Sequence, residues 1–456
     1  MTCALTKNPY LNPNKYQEYE VFQIKQDSLH IGSLIKGLRE YKGLSQDALA
    51  RMAFSNRSTI SQIELGHQDC PYETLLAIKI ALDVEILPLR DSERPAFREL
   101  LYIWYDVISE RDWEAANKAR SKLSVIKLIP HDKELNTLFL LFECRLLLGL
   151  NELEESKAII DVFENCLADL SDIQRYHYYY NQGTYNVRCK QHQKALDFYL
   201  KSYDLMKCGL EKSVTLYFNI AICYEELGRT ALAANFLEEA CKLQSVGHSN
   251  VPEFQLYNSL GAIYASTGHL QRAKDLLDKA YAIALIDYKA KANEDTKIRM
   301  GMVLINYGYM YHTANKWSRA IEYLDNAILY IPKGNAYYLE ALYLKIRSLI
   351  GMGNSLACTE MLADGIHQSK DNEVYTVMFE ALKILISPNE ETVKHLDKKI
   401  LTFLLTNKIF NPALDYAVFL RDFYRAKGRG FKTRALEMSE IISNILSGMR
   451  EGGVIE

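Results

Sequence analysis

Four polar side chains in one short segment, Arg57, Ser58, Ser61 and Gln62, stand at i, i+1, i+4 and i+5, so a helix there turns them onto one face. Together they donate and accept hydrogen bonds, which is the chemistry that reads base edges in the major groove of duplex DNA. A second polar set recurs far downstream. Asn181, Asn219 and Asn306 each stand two residues before a small residue, Gly183, Ala221 and Gly308, and Asn258 sits one position earlier in its own segment. Asparagine offers a donor beside an acceptor, a match for peptide backbone of any sequence. Asparagine at such a position also bonds to a neighbouring helix; recurrence in phase favours the ligand.

Catalytic constellations are absent. There is no P-loop, H-E-x-x-H, G-x-S-x-G or G-x-G-x-x-G, and the histidines do not cluster with metal-ligand spacing. The nine cysteines are odd in number and never spaced C-x-x-C, so neither a disulfide framework nor a zinc site is expected, and no cofactor. The reading is not an enzyme. A net charge of −3 excludes a globally basic nucleic-acid binder, so DNA binding must be local. From Ile31 to Ser58, five basic residues against two acidic ones give a local balance of +3. The longest apolar runs, such as Leu146 to Leu150, fall far short of the roughly 20 residues that span a bilayer, and residues 1–29, polar and with two Asn-Pro pairs, form an arm with no signal-peptide core.

Helical spacing of Ile31, Leu34, Ile35 and Leu38 opens the segment that positions the first polar set. After a break at Lys42-Gly43, Ser45 is placed to cap a helix from Gln46 to Ala53, and Asn56 to cap one from Arg57 to Leu65, closed by Gly66. Leu49, Ala50, Ile60 and Ile63 point inward, and the small Ala50 lets the two helices meet. The run LSQDALARMAFSNRSTISQIELG, Leu44 to Gly66, resembles the helix-turn-helix of the Xre and phage-repressor family, and ETLLAIKIALDV, Glu73 to Val84, resembles its closing helices. The resemblance implies that Gln46 touches DNA, that Arg57, Ser58 and Gln62 reach bases, and that Asn56, His67 and Gln68 lie near phosphates. It also implies a structural ion pair between Arg39 and Glu64. Two departures stand out: Phe54 where the turn usually has Gly, and Asp69 where a basic residue is common.

The second set needs a repeat array. LINYGYMYHTANKWSRAIEYLDNAILYIP, Leu304 to Pro332, resembles a tetratricopeptide unit, with Tyr307, Gly308, Ala320, Leu324 and Ala327 in phase. Units at Tyr217 to Ala240, Tyr257 to Ala280 and Tyr179 to Ser202 repeat it, and weaker ones fall at Leu100 to Leu123, Leu140 to Ile160 and Leu342 to Leu362. Eight or nine repeats are expected. Such arrays line a concave surface with the first helix of each pair, which adds Tyr180, Arg188, Glu225, Tyr309, His312 and Arg347 to the four asparagines as groove residues. Arg188 and Arg347 are suited to a peptide carboxylate.

The expected fold is all-α: an N-terminal helix-turn-helix domain of five-helix type, residues 30–90, then a right-handed tetratricopeptide superhelix, residues 91–450. That architecture resembles the peptide-pheromone regulators of Gram-positive bacteria, the Rgg, PlcR, PrgX and NprR group related to the Rap proteins. The resemblance implies a cytoplasmic homodimer that binds operator DNA and a short signalling peptide. The rivals are a Rap-like adaptor that captures a protein partner, and a DNA-binding protein whose repeats only oligomerise. Dimer contacts are expected from helices between Asn411 and Leu446, through Leu414, Ala417, Val418 and Leu446.

Overall fold

A computed structural model describes residues 31–68, 70–82, 94–123, 133–210, 212–244, 252–354 and 357–451. The arm 1–29, Asp69 and the junction near residue 90 lie outside the described residues. All regular structure among the described residues is helical. The chain divides into two units, residues 1–191 with 197–210, and residues 192–196 with 211–456.

The first unit opens with α1 (Ile31–Tyr41), α2 (Gln46–Met52), α3 (Arg57–Glu64) and α4 (Tyr72–Leu82). Ser45 Oγ accepts from the Ala48 N–H at 3.1 Å and Asn56 Oδ1 from the Thr59 N–H at 2.7 Å, so each cap satisfies a donor that the first helical turn leaves open. Leu49, Ala50, Ile60 and Ile63 are buried with Ile35, Leu75 and Ile78 in one small core. Where α1 crosses the end of α3, a β-carbon on Gly32 would collide with the Ile63 carbonyl. Phe54 takes the left-handed conformation at the α2–α3 turn, with φ of 51° and its side chain 96% exposed. That conformation costs an L-residue about 1–2 kcal/mol, which is why glycine is usual there.

Paired helices follow: α5 (Arg94–Ser109) with α6 (Trp113–Leu123), α7 (Lys133–Leu150) with α8 (Leu153–Glu164), and α9 (Asp172–Arg188) with α10 (His192–Lys207). The second unit continues with α11 (Val214–Glu226) and α12 (Thr230–Gln244), α13 (Glu253–Ser266) and α14 (Leu270–Ala290), and α15 (Glu294–Thr313) and α16 (Trp317–Tyr330). Next are α17 (Ala336–Gly351) and α18 (Cys358–Gln368), then α19 (Glu373–Ile386) facing a bent segment of α20 (Glu390–His395), a π-turn at Leu396–Ile400, and α21 (Leu401–Thr406). Finally α22 (Phe410–Lys427) packs on α23 (Lys432–Glu451). These make nine pairs among the described residues.

The small residues of the repeats explain the pairing. A β-carbon on Gly261 would overlap Leu277, and one on Gly308 would overlap Leu324, while Ala233, Ala273 and Ala320 are fully buried. The tetratricopeptide superhelical arrangement follows from such close helix contacts repeated in register. One contact in the second unit is not between neighbours. The turn at Gly228, with φ of 74°, lies against the ring of Phe410 at the start of α22, and α23 packs on α12.

Among the residues expected at a dimer interface, Ala417 is fully buried within the core of the second unit, whereas Leu414, Val418 and Leu446 keep exposed area. No helix among the described residues is long and apolar enough to cross a membrane.

Candidate functional site

On the head, Asn56, Arg57, Ser58, His67 and Gln68 are exposed, and Ser61 and Gln62 are half-buried along the same side of α3. Arg57 approaches Asp47 at 3.9 Å with both side chains largely in solvent, so the pair is screened and its guanidinium is free to exchange partners. The N–H groups of His67 and Gln68 both donate to the Gln62 carbonyl, at 2.9 and 3.3 Å, folding the loop back over the end of α3. Beneath the face, Arg39 donates to Glu64 from Nε at 2.6 Å and from Nη2 at 3.0 Å. Gln46 Nε2 donates to the same carboxylate at 2.8 Å. The buried ion pair therefore fixes the amide of Gln46, half-buried at the start of α2.

In the second unit the first helices of successive pairs enclose a cavity of about 400 Å³. Five residues expected in a groove line it: Glu225 from α11, Asn258 from α13, Asn306 and Tyr309 from α15, and Arg347 from α17. Asn306 Nδ2 donates to Asn258 Oδ1 at 2.9 Å. That bond leaves the amide NH2 of Asn258 to donate and the carbonyl oxygen of Asn306 to accept, the complement of a peptide group. Arg347 pairs with Asp415 at 2.7 Å and lies over the ring of Tyr343, whose hydroxyl meets that of Tyr416 at 2.8 Å. Burial opposes the charge of Arg347, but Tyr343 and Asp415 outweigh it and its pKa is raised.

Two carboxylates in the cavity have no ion-pair partner among the described residues. Burial raises Glu340 to about 7, and burial with the charges of Glu226 and Glu340 raises Glu225 to about 7. Both stand near half-ionised at neutral pH and are open to a cationic group.

The remaining expected residues are placed differently. Tyr180 is buried between Tyr176 and Tyr199, and its hydroxyl accepts from Arg145 at 2.9 Å. Asn181, 2% exposed, donates from Nδ2 to the Leu141 carbonyl at 2.8 Å, which joins α9 to α7. Its amide serves repeat packing. Arg188 is exposed on α9, and Asn219 is half-buried on α11 outside the cavity lining. His312 Nδ1 lies 2.9 Å from Ser348 Oγ, and burial with the charge of Arg347 lowers its pKa to about 3, so it is a neutral hydrogen-bonding group.

Sequence reasoning missed Glu340, Tyr343, Tyr337 and Tyr375, which also line the cavity. A signal existed: Glu340 and Tyr343 precede Arg347 by seven and four positions on one helix face. It was hidden because the weak repeat was begun at Leu342, whereas α17 begins at Ala336. Among the described residues no group of three or more His, Cys, Asp or Glu could hold a metal ion.

Comparison with known proteins adds four likenesses. Residues 175–245 and 254–286 match models of the tetratricopeptide repeat. The transcriptional activator NprA of Geobacillus stearothermophilus is 22% identical over 387 residues, spanning 81% of this chain and 92% of that protein. The apo form of the quorum sensor NprR from B. thuringiensis aligns with a TM-score of 0.62 at 18% identity, covering 78% of this chain and 100% of that one. NprR in complex with its cognate peptide NprX aligns with a TM-score of 0.57 at 16% identity, covering 77% and 99%.

Proposed function

We propose that this chain, whose repeats match tetratricopeptide models and whose fold resembles that of NprR, is a peptide-controlled transcription regulator acting as a homodimer in the cytoplasm. Residues 30–90 form the DNA-binding head and residues 91–450 the sensing and dimerising body. The head contacts duplex operator DNA through Gln46, Asn56, Arg57, Ser58, Ser61, Gln62, His67 and Gln68, with α3 in the major groove. The repeats hold a short signalling peptide against Asn258, Asn306, Glu225, Tyr309 and Arg347.

The observation that carries this reading is the cavity on the first helices, where the Asn258–Asn306 pair keeps a donor and an acceptor beside two unpaired carboxylates. Polar groups left open in a cavity lined by apolar, aromatic and polar side chains together favour an extended peptide with a cationic group over an apolar small molecule. A peptide bound by NprR and the activator role of NprA are properties of those proteins; they support the same reading here.

Native mass spectrometry of the protein recovered from its host, with footprinting on genomic fragments, tests the proposal. A bound peptide of a few residues and a two-fold symmetric footprint are expected. A bound protein with no footprint would favour the adaptor reading instead.

A further inference from the structure

Between Arg421 and Arg434 six basic residues stand against one acidic residue, a local balance of +5 in a chain whose net charge is −3. The +3 between Ile31 and Ser58 is spread over twice that length. The stretch covers the end of α22, the turn Gly428-Arg429-Gly430 and the start of α23, and packing draws a second basic segment to it. The Tyr424 hydroxyl donates to Asp397 Oδ2 at 2.7 Å, Arg434 Nε donates to the same oxygen at 2.7 Å, and Lys427 donates to Glu390 at 2.7 Å. The ring of Phe431 stacks on that of Tyr424 at 5.6 Å. Asp397 is buried in the π-turn, so the exposed Lys398 and Lys399 that follow it are carried to the same region of the second unit.

The carboxylates nearby are already engaged. Glu390 holds Lys427, Asp397 and Glu437 hold Arg434, and Asp422 holds Arg421. Lys398, Lys399, Arg429 and Lys432 are exposed and form no ion pair among the described residues. Lys432 and Arg434 also open α23 with no acidic residue in its first turn, so positive side chains stand at the positive end of the helix macrodipole. Both features cost the free chain stability, and a polyanion reverses the sign of each. The surroundings narrow the kind of polyanion. Gly428 needs its glycine for a φ of 88°, but a β-carbon on Gly430 would meet nothing within 4 Å, and this bare backbone beside Arg429 lets a phosphodiester chain come close. Of the large apolar side chains in this stretch only Leu436 is exposed, less than the apolar centre that a protein interface buries.

We propose that the α22–α23 turn and the π-turn beside it form a second nucleic-acid surface, which grips the phosphate backbone of duplex DNA through Lys398, Lys399, Arg429 and Lys432 without reading its sequence. The surface goes beyond the peptide-controlled reading and needs neither the peptide nor the head. Lysine is a compact charge on a flexible stem that follows phosphates in any register, and Arg429 adds a planar fork matched to two oxygens of one phosphate.

Fluorescence anisotropy on the full chain without peptide tests this, using a scrambled duplex of about 30 base pairs across a salt series. The triple variant is Lys398→Gln with Arg429→Gln and Lys432→Gln. Its control is Lys289→Gln with Lys291→Gln and Lys297→Gln, three exposed lysines of the same unit with no ion pair among the described residues. The triple variant should bind about tenfold more weakly than wild type at low salt, and its slope of log affinity against log salt should be shallower by about 2–3, while the control keeps the wild-type slope. Arg429→Gln alone should make the slope shallower by about 1 and serves as the measure if the triple variant unfolds. Equal losses in the triple variant and its control, or an unchanged slope in the variants, would overturn the surface. Polyglutamate bound as tightly as DNA, and weakened alike in the triple variant, would replace nucleic acid with an acidic protein as the partner. Operator preference kept with unchanged slopes sinks this surface alone, whereas the expected slope change with no operator preference in wild type sinks the reading of the head alone.

Discussion

The side-chain amide of Asn306 donates to the side-chain oxygen of Asn258 at 2.9 Å, tying α15 to α13 across one repeat boundary. Exchanging the oxygen and nitrogen assignments would reverse the bond and still leave one amide NH2 and one carbonyl oxygen at the cavity. Asn306→Ala should therefore weaken a cognate peptide by about 1–3 kcal/mol, since the peptide group that it served is left unpaired. Calorimetry on Asn306→Ala beside Asn181→Ala separates the roles: the second should leave peptide affinity at the wild-type value and lower the melting temperature, because its amide binds Leu141.

Glu225 and Glu340 give the second unit a pH dependence of defined sign. Their folded pKa values, about 7, lie above the ordinary carboxyl value of 4.5, so the native state binds more protons between those limits. Stability should fall as pH rises from about 4.5 to 7 and stay lower above. Glu340→Gln removes one such group, and it should raise stability at pH 8 by roughly 1–3 kcal/mol with little effect at pH 4.5. Denaturant melts at the two pH values check this, and an equal shift at both would refute it. Arg347, whose pKa is raised, and Lys408 line the same cavity.

Arg57 and Gln62 lie on the side of α3 proposed to read operator DNA. Replacing either with Ala should cost about 1–3 kcal/mol of operator affinity and relax preference at one base position in each half-site. A binding-site selection with each variant measures it. Identical selected sequences for wild type and both variants would remove these residues from base recognition.

The Arg39–Glu64 pair should behave as buried ion pairs do. Arg39→Met alone leaves an unbalanced buried carboxylate and should destabilise the head by about 3–5 kcal/mol, whereas Arg39→Met with Glu64→Leu should cost much less. Urea melts followed on the head give the comparison. Gln46 also hydrogen-bonds Glu64, so the double variant should weaken operator binding even where the fold is kept.

Local rules carried most of the architecture from sequence. The caps at Ser45 and Asn56, the inward Ile60 and Ile63, and the small Gly261 and Gly308 are each dictated by one helix and its immediate neighbour, and each takes the place that its spacing implies. The asparagines were harder. Asn181 and Asn306 hold the same repeat position, yet one is consumed by the carbonyl of Leu141 and the other opens on a cavity. That difference depends on which helix lies across from each, which the repeat pattern does not encode. Glu340 was missed for a related reason: its burial arises where α11, α17 and α19 converge, far apart in sequence.

Arrays of tetratricopeptide pairs ordinarily unravel from their ends, because each repeat leans only on the next. The seating of Phe410 against Gly228, with α23 on α12, removes that route from the second unit. A helix at its terminus cannot fray without uncovering one near its beginning, so a local opening becomes a global one. The cost falls on the folding side, where a long loop must close before the contact forms. Amides of α11, α12 and α23 should then exchange with solvent at one common rate, the signature of a single cooperative block rather than a chain of independent ones.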